Sequence, residues 1–220
     1  MLARRIAFGA SCGFLALAVA VRLGLLDGWD SAVREQARPG DVWGPDQIHA
    51  DYIVEGLRPP VAASLLAVGV VVVCLVRRSL RPAVLAGGCG LLTAAITLTA
   101  KAVLGRSDPH ATAAGHGGSF PSGHTASLML CVGLAVFLLW PRGSRWGWLI
   151  PGFAAATMGT ALVIEAAHWA SDVVGGGLLA SAVLATASAT GFSGWSAGPR
   201  TSSENDPRSA RGATVPGPAP

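Results

Sequence analysis

The sequence predicts an all-α polytopic membrane bundle of about six spanning helices, and three observations support that fold class. Charged residues are only 13% of the 220, and 51% are hydrophobic; a soluble domain carries about a quarter charged. The apolar residues gather into six runs, at 6–26, 61–76, 82–104, 125–140, 146–167 and 173–192. Arginines fall at alternate ends of these runs. A spanning helix needs roughly 20 residues. The second and fourth runs reach that length by borrowing 57–60 and 121–124, so the count lies between five and seven.

The arginines orient the chain. Arg4 and Arg5 precede the first run, and Arg77, Arg78 and Arg81 separate the second from the third. Arg142 and Arg145 separate the fourth from the fifth, and Arg200, Arg208 and Arg211 follow the sixth. If every run spans, all of these share one face, which by the positive-inside rule is cytoplasmic together with both termini. The connection 27–60 then lies outside, with seven acidic residues against three arginines. Lys101, His124 and His168 fall on the same outer face.

Taken in order, the first run contains Ala18-Val19-Ala20, a small-residue pattern that also suits leader cleavage, which would leave five spans. In 27–60, Trp29, Trp43 and Tyr52 suit the membrane–water interface. Residues 31–37 there suit a short interfacial helix capped by Asp30. The connection 105–124 is rich in Gly, Ala and Ser through residue 120 and is expected to be irregular, lying over the outer face. The tail 193–220 is rich in Pro, Gly, Ser and charge, and is expected to be disordered and cytoplasmic. That leaves one membrane domain, 1–192, with no internal repeat. Cys12, Cys74, Cys89 and Cys131 all lie inside apolar runs without ligand spacing and read as small buried hydrophobes. The net charge of +4 reads as topogenic. No basic patch is interleaved with aromatics, so nucleic acid is not an expected partner. Nothing indicates a metal or other cofactor, and oligomeric state is left open.

Three clusters at run edges carry the chemistry. His168 and Asp172 are four apart, so a helix stacks them on one face. A carboxylate on one imidazole nitrogen leaves the other free as a nucleophile. The plainer alternative is an interfacial histidine beside a helix cap by Ser171 or Asp172. Pro121-Ser122-Gly123-His124 precedes an apolar helix and offers N–H groups, a hydroxyl and the helix dipole to an anion. His124 there is placed to protonate a leaving oxygen; the alternative is a simple Ser122 cap. Lys101, the lone lysine, either snorkels to the interface or joins Arg106 in neutralising phosphate.

In this order, Lys101, Pro121–His124 and His168–Asp172 resemble the type-2 phosphatidic acid phosphatase (PAP2) family. That family also includes vanadium haloperoxidases and glucose-6-phosphatase. Its signature is Lys-x6-Arg-Pro, Pro-Ser-Gly-His and Ser-Arg-x5-His-x3-Asp, and the resemblance covers about residues 61–192. It implies that His168 attacks phosphorus to form a phosphohistidine, oriented by Asp172. It implies that His124 protonates the departing oxygen, while Lys101, Ser122 and the Gly123 N–H hold the phosphoryl oxygens. Water then hydrolyses the intermediate. No metal is required where fixed cations and dipoles stabilise the charge. The sequence departs from the signature at two places. The first-motif arginine falls on Asp108, although Pro109 is kept, and the third-motif Ser-Arg falls on Ala161 and Leu162. Arg106 is the candidate stand-in for the first. His110 and His116 are the nearest chemical candidates for the second. Loss of one such contact slows a reaction on the order of 10²–10³-fold.

Glu165 lies three residues before His168. Intramembrane carboxylates are expensive and usually paired. Lys101, Arg22 and protonated His168 are its candidate partners; the alternative is a position shallow enough to meet water.

The leading expectation is an integral-membrane phosphatase acting on a lipid phosphate or polyprenyl pyrophosphate at the outer face. The second is a catalytically impaired relative that binds a phosphorylated lipid or a membrane partner, motivated by Asp108 and Leu162. A transporter using Lys101, Glu165 and His168 as a relay is a third; no inverted repeat speaks for it. A haloperoxidase would want more cations around vanadate than this chain supplies.

Overall fold

Prolines and glycines set most of the boundaries in the structure, a computed structural model that describes residues 2–110, 118–139 and 146–190. Helix α1 covers Leu2–Arg22, and α2 covers Asp27–Ala37 with Asp27 and Asp30 in its first turn, where the helix dipole favours them. A 3-10 turn, Pro39–Asp41, leads to α3, Pro45–Gly56. Pro45 opens α3, and the Gln47 side chain reaches back to accept from the Gly44 N–H at 2.8 Å, half of a capping box. Helix α4, Pro59–Arg77, starts on two prolines after an extended Arg58, as a pre-proline residue prefers. Helix α5, Arg81–Leu104, ends at Gly105 in the left-handed region. Helices α6, Gly123–Leu139, α7, Trp146–Ile164, and α8, Ala170–Ala189, complete the order.

The six apolar runs thus become six helices. Among the described residues five helical stretches are long and apolar enough to cross a membrane, with α6 as a shorter sixth. The chain is a multi-pass membrane protein. Large apolar side chains such as Leu15, Leu65, Val72, Leu91 and Phe153 face outward, the arrangement a hydrocarbon solvent permits. The buried faces concentrate on α6 and α8, which form the centre. Helix α1 packs on α8, α4 on α6, and α7 on α6 and α3, while α5 touches α6 and α8. One core cluster includes Phe14, Phe120, Leu134 and Leu184. A second includes Ala50, Leu128, Met158 and Leu162. Cys12 is exposed on α1 and Cys74 is partly so; only Cys89 and Cys131 are buried.

Two expectations change. The connection 27–60 is mostly helical. Its first helix begins at Asp27, so Asp30 is not its cap; Asp30 lies inside α2 and is buried because it bonds α8. The expected disordered tail 193–220, His116, and Arg142, Arg145, Arg200, Arg208 and Arg211 lie outside the described residues.

Candidate active site

Each functional side chain stands at a helix end, and four of these ends meet at one end of the bundle. Lys101 lies in the last turn of α5. Its ammonium donates to the Gly118 carbonyl at 2.6 Å and approaches the Ser119 carbonyl at 3.5 Å. Gly118 has φ +59, and a Cβ there would lie 2.7 Å from the Lys101 carbonyl oxygen. Only glycine allows the returning chain to lie that close. Ser119 N–H then bonds the Arg106 carbonyl at 2.6 Å, closing the ends of the connection on each other.

The next turn is held by α8. Ser122 N–H donates to the Asp172 carbonyl at 2.9 Å. The Ser122 side chain is fully buried, and its Oγ accepts from Thr125 N–H at 3.4 Å and from Thr125 Oγ1 at 3.2 Å. Ser122 is therefore placed as the cap of α6. Gly123 is the first residue of that helix, where backbone N–H groups lack intrahelical partners.

His168 sits in the turn between α7 and α8, one residue beyond which lies Trp169, the N-cap of α8. Its Nδ1 is 3.4 Å from Asp172 Oδ2, at the loose end of hydrogen-bond geometry, as unliganded catalytic pairs often are. The same oxygen accepts from Trp169 N–H at 3.1 Å. Asp172 thus serves the helix start and the imidazole together. The His124 and His168 ring centroids are 6.3 Å apart, edge to face. His124 interacts electrostatically with His168, Lys101 and Glu55, and Lys101 with Asp172. The structure therefore brings His124, His168 and Asp172 together, with Lys101 near enough to act electrostatically on His124 and Asp172.

Arg106 is elsewhere. It lies behind Asp172, with Nη1 donating to Asp172 Oδ1 at 2.8 Å and to Ser171 Oγ at 2.6 Å. Nη2 donates to Asp30 Oδ2 at 2.6 Å, and its guanidinium stacks 5.4 Å over the Trp169 ring. Asp30 completes the knot by accepting from Ser171 N–H at 2.9 Å and Ser171 Oγ at 2.6 Å. Asp108, at the signature arginine's position, accepts from His110 N–H at 3.1 Å. Leu162 and Ala161, at the other signature position, are buried in the second core cluster.

Sequence reasoning missed Arg38 and the partnership of Asp30. The buried Arg38 Nη1 donates to the Glu165 carbonyl at 2.8 Å, and Nη2 to the Asp41 carbonyl at 3.0 Å. It ties the outer helices to the turn that carries His168. His110 Nε2 lies 3.3 Å from both Arg38 Nη1 and Asp41 Oδ1, so it belongs to that tie. No local signal marks these residues; their partners are up to 141 positions away. Glu165 forms no ion pair with Lys101, Arg22 or His168 among the described residues, and its buried Oε1 has no hydrogen-bond partner. Burial, then the Asp51 and Glu55 carboxylates, push its pKa up to about 7. Among the described residues no three His, Cys, Asp or Glu side chains converge as metal ligands do.

Residues 57–194, which carry the histidine pair, Asp172 and Lys101 at their helix ends, match the PAP2 superfamily model. The chain belongs to the PAP2 superfamily. It is similar in structure to the transmembrane PAP2 type phosphatidylglycerolphosphate phosphatase from Bacillus subtilis, with a TM-score of 0.69 at 20% sequence identity, covering 88% of this chain and 98% of that one. No curated protein matches the sequence.

Proposed function

We propose that the protein is a membrane phosphatase that hydrolyses a lipid phosphate or polyprenyl pyrophosphate at the outer face through a phosphohistidine. The observation that carries this reading is the His124–His168 approach at 6.3 Å with Asp172 behind His168. Asp172 on Nδ1 leaves Nε2 of His168 free to attack phosphorus. As the N–P bond forms, the P–O bond to the leaving group breaks, and His124 gives its proton to that oxygen. Water then attacks phosphorus, returns a proton to His124, and the N–P bond breaks to release inorganic phosphate. Lys101 and the N-terminus of α6 supply the positive field on the phosphoryl oxygens.

A lipid tail has a place to lie. On α6, His124, Leu128, Cys131, Ala135 and Leu138 form a stripe at helical spacing. From Leu128 downward this stripe lines an apolar groove of about 240 Å³ shared with α4. A hydrocarbon chain in that groove would hang from a phosphate at His124. Asp108 and Leu162 favour the second reading, a relative that binds a phosphorylated lipid without turnover.

Purified protein presented with phosphatidic acid, phosphatidylglycerol phosphate and polyprenyl pyrophosphate separates the two. Phosphate release that survives chelators, is blocked by vanadate and falls at least about 10³-fold in His168→Ala is the expected result. Unchanged turnover in His168→Ala defeats the mechanism. Lipid binding without release or phosphohistidine supports the second reading.

A further inference from the structure

We propose that Arg106 and Asp30 are positioning residues that set the orientation and proton affinity of His168 through Asp172, and that Arg106 is not a phosphate ligand. The inference rests on the reading of His168 as nucleophile. Its structural basis is a continuous buried chain of contacts. Asp30 accepts from Arg106 at 2.6 Å, Arg106 donates to Asp172 Oδ1 at 2.8 Å, and Asp172 Oδ2 lies 3.4 Å from His168 Nδ1. Ser171 fastens the chain from below, accepting from Arg106 and donating to Asp30, each at 2.6 Å. Both carboxylate side chains are fully buried, and Arg106 is 12% exposed.

The geometry consumes the guanidinium. Its two terminal nitrogens are bonded to two carboxylates and a hydroxyl on the far side of Asp172 from His168. What Arg106 delivers to the reaction is therefore a fixed carboxylate. One oxygen of Asp172 is pinned by Arg106, which leaves the other for the imidazole and the Trp169 N–H. A freely rotating carboxylate would hold neither angle nor tautomer.

Charge gives the arrangement a measurable signature. Arg106 is shared by Asp30, Asp172 and, at 3.7 Å, Asp27, so its positive field at His168 is partly cancelled. Replacing Asp30 by Asn leaves more of that field acting on the imidazolium, and His168 should lose its proton at lower pH. Replacing Arg106 by Gln bares the carboxylates, and His168 should hold its proton to higher pH. Other charged groups around His168 stay in place in both variants. Asp172 on α8 and His124 on α6 face His168 directly, Lys101 on α5 and Glu55 on α3 act on His124, and Glu165 lies in the same turn as His168; α7 carries none. On the far side of the chain of contacts, Asp27 pairs with Arg106 Nη2 at 3.7 Å, and it and Arg22 line a cavity of about 420 Å³.

The test is the His168 ring titration by 15N NMR of the full chain in nanodiscs, with His168→Gln to assign the signal. The acidic limb of kcat/KM on a phosphate monoester is recorded alongside. The midpoint should move by roughly half a unit or more, down in Asp30→Asn and up in Arg106→Gln. Competitive inhibition by inorganic phosphate, which forms no bond to His168 as it binds, should stay within about threefold of the parent chain, since Lys101 is untouched. Midpoints that do not move, or that move in the same direction, overturn the proposal. So does a tenfold loss of inorganic phosphate affinity confined to Arg106→Gln, which would make Arg106 a phosphate ligand. Should Arg106→Gln not fold, Asp30→Asn decides alone, because it removes one charge and keeps the shape. If the parent chain releases no phosphate, the enzymatic reading fails, while the ring titration still decides the positioning role.

Discussion

Glu165 places a carboxylic acid three residues ahead of the proposed nucleophile, with its backbone held by Arg38 and its buried Oε1 unpartnered. Its pKa is raised from 4.5 to about 7, first by burial and then by Asp51 and Glu55. Between those two values the folded chain keeps a proton that the unfolded chain has lost. Stability contributed by the neutral acid is therefore present below pH 4.5 and drains away as pH rises through about 7. Glu165→Gln, which mimics the protonated form, should melt with the parent chain at pH 5. At pH 8 it should be more stable by on the order of 1 to 3 kcal/mol. Thermal unfolding in detergent at the two pH values measures this; equal gains at both would refute it. The sequence marked Glu165 as anomalous but offered three partners, because a side chain's neighbours across other helices leave no trace in its own segment. Lys101, His124, His168 and Asp172 were legible for the opposite reason. Their spacing and their places at run edges are local properties.

At the scale of helices, the site depends on how near α8 comes to the start of α6. Gly176 makes that approach: a Cβ there would lie 2.5 Å from the Ser122 carbonyl oxygen and 3.2 Å from Ala126 N. Backbone atoms cannot yield as a flexible side-chain tip does. Gly176→Ala must separate the two helices and draw Ser122 from its bond to the Asp172 carbonyl. A loss of about 1–3 kcal/mol is expected from such overpacking, with turnover down at least tenfold. Gly177→Ala is the control, since a Cβ there meets nothing within 4 Å. Equal activity in both variants would show that the helix approach does not position the site. The sequence displayed Gly175, Gly176 and Gly177 as a uniform run; that Gly175 meets the Phe120 ring, Gly176 the α6 backbone and Gly177 nothing follows only from the packing. The same limit applies to α2 and α3. Their amphipathic residues look like an ordinary polar connection until α3 is seen packed on α7.

For the whole molecule, the arginine pattern predicts that the site faces outward. In a cysteine-free background, Gln36→Cys on α2 and Leu80→Cys between α4 and α5 lie at opposite ends of the bundle. An impermeant maleimide should label the first on intact cells and the second only after permeabilisation. The reverse pattern would invert the topology. Six apolar runs were enough to anticipate the six membrane helices, because hydropathy alone decides which segments can be solvated by hydrocarbon. The layer above them was hidden, being built from charges that acquire meaning only in pairs. That layer bears on where the functional unit begins. Residues matching the family start at 57, yet Asp30 holds Arg106 and the Ser171 N–H, and Arg38 holds the Glu165 carbonyl. A fragment excised at the homology boundary would retain every signature residue and still strand a guanidinium and an amide that had been satisfied from the amino-terminal third. In this protein the unit that can be transplanted, minimised or fused is larger than the unit that can be recognised.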